Sequence, residues 1–183
     1  IGCPADAEKD LQIILDCISD WNIANSSPRQ AAILPLHWRT NLLPQFGKSS
    51  QEVINKTLLA EADVLVVLFW NRIGSATRED ISGTVEEIKK HSSTGKPTFI
   101  YFSLDISEAN WVDAAQLESL KSFKKDIRDI STYIEYNNPE ELRRVFTRHL
   151  TQLFNQLSDA TVAPERDAQF APLTPAAIEL LTS

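Results

Sequence analysis

The 183-residue chain is short of cysteine, glycine, histidine and long apolar runs, and each shortage removes a class of function. Its two cysteines, Cys3 and Cys17, fit neither a zinc ligand set nor a secreted disulfide framework, so a reducing, cytoplasmic setting is expected. The three histidines, His37, His91 and His149, fall on different predicted elements without ligand spacing, and no metal site is expected. Among the five glycines there is no G-x-x-x-x-G-K-[ST] loop, no G-x-G-x-x-G turn and no G-x-S-x-G elbow. Those absences argue against an ATPase, a dinucleotide-binding Rossmann domain and a serine hydrolase. The longest apolar run, Val64–Trp70, is far shorter than the roughly 20 residues of a membrane span, and no signal peptide is expected. Clustered basic charge is lacking too. Net charge is −7, and the densest basic stretch, Lys121 to Arg128, is interrupted by Asp126 and reads as a solvated helix face. Neither a membrane nor a nucleic acid is expected as partner.

What is present describes one ordinary domain with a full core: 43% hydrophobic and 23% charged residues. Ile1-Gly2-Cys3-Pro4 reads as the last turn of a strand whose earlier residues are missing from the chain. Ala7–Ile23 places Leu11, Ile14, Leu15, Ile18 and Trp21 at helical spacing, and Asn25-Ser26-Ser27-Pro28 is turn chemistry. Ala31–Trp38 then reads as a second strand, Arg39–Lys48 as a loop, and Ser49 or Ser50 as the cap of a helix carrying Val53, Ile54, Leu58 and Leu59. The valine-rich Asp63–Phe69 has the continuous apolar character of a parallel strand buried on both faces. Thr84–Ser93 is a helix stopped by Gly95-Lys96-Pro97, and Thr98–Phe102 a further strand. Ala114–Ile130 is helical, Thr132–Tyr136 is a short strand, and Pro139–Leu157 is a closing helix with Leu142, Val145, Phe146, Leu150 and Leu153 inward.

This alternation predicts an α/β fold, a three-layer flavodoxin-like open parallel sheet of about five strands in the order 2-1-3-4-5. The domain is expected over residues 1–157. Residues 158–173 have linker composition, and Thr174-Pro175 opens a further helix or domain over 174–183 whose Ile178, Leu180 and Leu181 want a partner.

In such a sheet, ligands bind outside the carboxyl ends of the strands, where the strand order switches. Strands one and three flank that switch. The expected pocket has Gly2, Cys3, Pro4 and Asp6 on one side and Trp70, Asn71, Arg72, Ser82, Gly83, Thr84 and Glu87 on the other, with Trp38 and Phe46 closing it from the second loop. Glu87 is the acid to single out, as a carboxylate that stabilises or attacks an oxocarbenium-like sugar cation when an N-glycosidic bond breaks. Thr84-Val85-Glu86-Glu87 equally satisfies a T-x-x-E capping box, and Glu86 is a second candidate. Trp70 can stack on a base or complete the core. Arg72 can pair a ligand phosphate or the carboxylate of Asp80 or Glu79, and Ser82-Gly83-Thr84 offers free backbone N–H groups for an anion.

On these residues the chain resembles a bacterial TIR-like family, related to domains of unknown function that open with a strand and S-S-P-x-D-x-x-x-E-R, here Gly2-Cys3-Pro4-Ala5-Asp6 through Asp10. It is also similar in its W-x-R-x-G loop, Trp70 to Gly74, and in the S-G-T-x-E-E-I helix start, Ser82–Ile88. The resemblance covers roughly residues 1–157. It implies an N-terminal domain of a larger signalling or phage-defence protein, and NAD as substrate, cleaved at the nicotinamide glycosidic bond by a glutamate on the helix after the third strand. Glu87 stands at that offset, as it does at the offset of nucleoside deoxyribosyltransferase-like domains, four residues after Gly83. The chain departs from the pattern where Gly83-Thr84 replaces the tryptophan and cysteine of catalytic TIR domains, and where Asp10 stands for the usual arginine. No further cofactor is implied. Two other readings remain open at this point: a non-catalytic module that signals by homo-oligomerisation, and a receptor for a nucleotide signal.

Overall fold

The computed structural model describes residues 1–41, 50–105 and 113–161. Three parallel strands form its open sheet in sequence order: β1 (Leu65–Phe69), β2 (Thr98–Ser103) and β3 (Ile134–Tyr136). Val67 pairs with Ile100 across β1 and β2, and Phe102 with Glu135 across β2 and β3. On the other edge of β1, Gly2 forms a parallel bridge to Val67: its N–H donates to the Val66 carbonyl and its own carbonyl accepts from Leu68. All strand ends therefore open on one edge, the arrangement in which α/β sheets carry ligand sites.

Every residue of β1 is buried. One face of the sheet, with Val67, Phe69, Ile100 and Phe102, packs on Val85 and Ile88 of α4 (Gly83–Ser92) and on Leu120, Phe123 and Ile127 of α5 (Ala114–Ile127). Phe69 anchors that layer, its ring 5.2 Å from Phe102 and 5.7 Å from Phe123. On the other face Tyr101 meets Phe146 of α6 (Pro139–Thr161) edge-on at 6.0 Å. Helices thus cover both faces. The long α1 (Glu8–Arg29) buries Leu11, Ile14, Cys17, Ile18 and Trp21, the stripe its spacing predicts.

Several expected boundaries move. Helix α1 runs through the Asn25-Ser26-Ser27-Pro28 turn signal because the Asn25 amide folds back onto the Trp21 carbonyl, and it stops only at Gln30, in the left-handed region with φ 51°. Ala31–Trp38 is not a strand. Residues 31–37 carry no regular structure, with Ile33 tied to Asn22 by reciprocal hydrogen bonds of 2.8 Å, and Trp38 instead opens a single helical turn, α2 (Trp38–Asn41). Pro35, which cannot donate to a ladder, stands in the middle of this stretch. Helix α3 (Ser50–Ile54) passes directly into a π-helical turn, Asn55–Leu59.

The chain divides into two units, Ile1–His149 and Leu150–Ser183. The described part of the second is the end of α6, which continues to Thr161, past the expected linker start at Ser158. The rest of that linker, the 174–183 helix and Phe46 lie outside the described residues.

Replacing Phe69 by alanine removes the centre of the α4–α5 layer and should cost about 3–5 kcal/mol, read as a lower urea midpoint. Ile130→Ala, at a side chain 82% exposed, should stay within about 0.5 kcal/mol of wild type.

Candidate functional site

The loop leaving β1 is built on side chains that cap its own backbone. Thr77 accepts from the N–H groups of Glu79 and Asp80, and the Gly83 N–H reaches back to the Ser75 carbonyl. Ser82 then caps α4, its hydroxyl accepting from the Val85 N–H at 3.1 Å. The helix starts two residues earlier than the T-x-x-E reading requires. Val85, not Glu87, stands at the third helical position, so Glu87 is not the acid of a capping box.

Glu86 and Glu87 are both buried, at 5% and 8% exposure, and they point into different environments. Glu86 accepts from Lys90 Nζ at 2.7 Å, Thr77 Oγ1 at 2.6 Å and Asn55 Nδ2 at 2.6 Å. Burial works against its charge, but these donors outweigh it and hold the carboxyl below the usual glutamate range. Among the described residues, Glu87 meets no side-chain cation. Its Oε1 accepts from Gln51 Nε2 at 3.2 Å. Burial, only partly offset by that bond and by the Ile1 amino group, pushes its carboxyl above the usual range. Adjacent residues on one helix thus hold two carboxyls displaced in opposite directions, the pattern by which paired acids take different chemical roles.

Two glycines make room for the Gln51–Glu87 contact. A Cβ on Gly2 would lie 2.4 Å from Glu87 Oε2, and one on Gly83 would lie 2.2 Å from Gln51 Oε1. Glycine is needed at both for close approach of a side chain, not for an unusual backbone angle.

Of the expected pocket wall, Gly2, Ser82, Gly83, Thr84 and Glu87 are brought together here. The others gather in two neighbouring places. Asp6 accepts from the Asn71 N–H at 3.0 Å, just beyond β1, and its second oxygen is buried without a hydrogen-bond partner. Burial pushes its carboxyl up while the Asn71 N–H and the Arg72 charge pull it down. Arg72 is exposed. It does not pair with Asp80 or Glu79, which are taken by Lys89 at 2.6 Å and Lys90 at 2.9 Å. Trp70 is half-buried, its indole N–H donating to the Asp105 carbonyl at 2.6 Å.

Cys3, Pro4 and Trp38 line a small pocket of about 10 Å³, room for a single water-sized sphere, together with His37 and Arg39. Cys3 Sγ lies 3.9 Å from His37 Nε2. Burial pushes the thiol up to about 11 and the imidazole down to about 4, so the pair is neutral rather than a thiolate–imidazolium couple. Sequence reasoning missed His37, Gln51 and Asn55 as site residues. The amides of Gln51 and Asn55, four apart on a helix whose other face is apolar, were the available signal.

Because Glu87 holds its proton more tightly in the folded chain than in the unfolded one, its contribution to stability falls as pH rises from the ordinary glutamate range through its shifted value. Glu87→Gln removes that loss. Its melting temperature should exceed wild type at pH 7 to 8, and the advantage should disappear near pH 4, as read by thermal unfolding across pH.

The chain finds no match among curated proteins or among solved structures. It matches the family described as a domain of unknown function, DUF4062, over residues 6–151, a span that takes in Asp6, Gln51 and Glu87. The chain belongs to the DUF4062 family.

Proposed function

We propose that the chain is a TIR-like effector domain that cleaves the N-glycosidic bond of NAD or a related nucleotide, in cytoplasmic bacterial defence signalling, with Glu87 as the reacting carboxylate. The observation that carries this reading is the contrast inside Glu86-Glu87: one carboxyl is neutralised by Lys90, while the other is buried, short of positive charge and close to the sheet edge. A carboxyl in that state gains most when a positive charge arrives, whether as a pyridinium or as the oxocarbenium that follows. In the reaction the C1′–N bond breaks and its electron pair leaves with nicotinamide. The cation at C1′ is met by the Glu87 carboxylate, which gives up any proton it holds to water as the positively charged substrate binds, either as an ion pair or as a transient ester. Water adds its oxygen to C1′ and releases one proton, giving the free sugar nucleotide.

Around Glu87 the remaining residues take the roles their positions suit. Ser82, Gly83 and Thr84 at the start of α4 and the exposed Arg72 serve phosphate or ribose, with Asp6 as a hydroxyl acceptor, and Trp70 offers a face to the base. Cys3, Pro4 and Trp38 line the adjoining pocket. The fold reading goes with it. We take the Gly2 bridge and the stretch 31–37, whose Leu36 carbonyl accepts from the Ile1 amino group at 2.6 Å, as the places of strands one and two in the order 2-1-3-4-5.

The near-complete burial of Glu87 beneath Gln51 favours a second reading, a non-catalytic module that signals by self-association. One experiment separates the two. Incubated with NAD at concentrations that drive assembly, the chain should release nicotinamide, and Glu87→Gln should lose at least about 100-fold of that rate. Release undiminished in Glu87→Gln removes the mechanism. No release in any assembled state favours the module.

A further inference from the structure

The amides between the two glutamates form a directed chain. Glu86 is held ionised by Lys90 and Thr77, and an ionised carboxylate only accepts hydrogen bonds. Asn55 must therefore turn its NH2 toward Glu86, which it does at 2.6 Å, and this leaves its oxygen facing Gln51. Gln51 must in turn present its own NH2, whose two hydrogens serve Asn55 Oδ1 at 3.3 Å and Glu87 Oε1 at 3.2 Å. Its oxygen is left lying against Gly83. A flip of either amide would set oxygen against oxygen at one end of the chain. Among the described residues, the other ionisable groups bearing on Glu87 are Glu86 on its own helix, and Cys3 and the Ile1 amino group on the opening segment.

We propose that Glu86 and Asn55 are positioning residues: the Glu86 carboxylate fixes the Asn55 amide, Asn55 fixes the Gln51 amide, and Gln51 is thereby made to donate to Glu87. With Oε1 so engaged, Oε2, the oxygen against Gly2, is the one left to take up a proton or meet a cation. This rests on Glu87 as the reacting carboxylate, and it gives the neighbouring glutamate and the α3 amides a function that their distance from any substrate would hide. It also accounts for the π-helical turn beginning at Asn55, since such turns re-aim side chains at functional sites.

The test reads Glu87 directly, in the full 183-residue chain without substrate, as the pH midpoint of its carboxyl carbon in NMR, assigned by its loss in Glu87→Gln. Removing the Gln51 donor by Gln51→Met should raise the midpoint by about one pH unit. Asn55→Leu should raise it by a similar amount although Asn55 does not touch Glu87, and the double variant should rise no further than Gln51→Met alone. Should Asn55→Leu not fold, Asn55→Ala makes the same cut with less apolar bulk beside Glu86. A midpoint that rises in Gln51→Met and stays put in the Asn55 variant means Gln51 orients itself, and the relay is overturned. A midpoint that moves in neither removes Gln51 as donor and overturns it as well. Failure of the glycosidase reading appears separately, as absent nicotinamide release from the wild-type chain.

Discussion

Enclosure of Leu65–Phe69 on all sides is the constraint on which the rest of the structure depends. Its faces are covered by helices and its edges by β2 and by the Gly2 bridge. A strand so placed fixes where the chain must emerge. The loop from Trp70 to Ser82 has to turn over the sheet edge and deliver α4 back onto the same face. That delivery sets Val85 and Ile88 into the core and turns Glu86 and Glu87 toward α3 and the Gly2 segment.

Burying two consecutive carboxylates is costly unless each is dealt with separately. Glu86 is dealt with by charge and by three donors. Glu87 is dealt with by one amide hydrogen bond, with burial pushing its carboxyl above the usual range. The two solutions are linked through Gln51 and Asn55, and the second would be hard to keep without the first, because a free amide pair has no reason to face one way.

Much of this was legible in the residues. The apolar runs of β1 and β2, the Leu120–Phe123–Ile127 stripe of α5 and the start of α6 at Pro139 announce themselves by composition and period, since their partners cover them evenly. The stretch 31–37 misled because its apolar residues are neither paired nor buried, with Leu34 81% exposed. Pro35 and the side-chain clamp from Asn22 took the place of a ladder. The end of α1 was hidden because its turn residues were used inside the helix. At the site, Glu87 and its helix could be singled out, but its protonation depends on partners 36 and 31 residues away in sequence, Gln51 for Glu87 and Asn55 for Glu86. The closeness of His37 to Cys3, 34 residues apart, is of the same kind. Local pattern carries no information about such contacts.

The π-helical turn Asn55–Leu59 accommodates one residue more than an α-helical turn would. Loss of a single residue there would restore an ordinary helix and rotate Gln51 by about 100° relative to Leu59. Chain length in this one turn, as much as the identity of the two amides, therefore sets whether Gln51 and Asn55 reach Glu87 and Glu86.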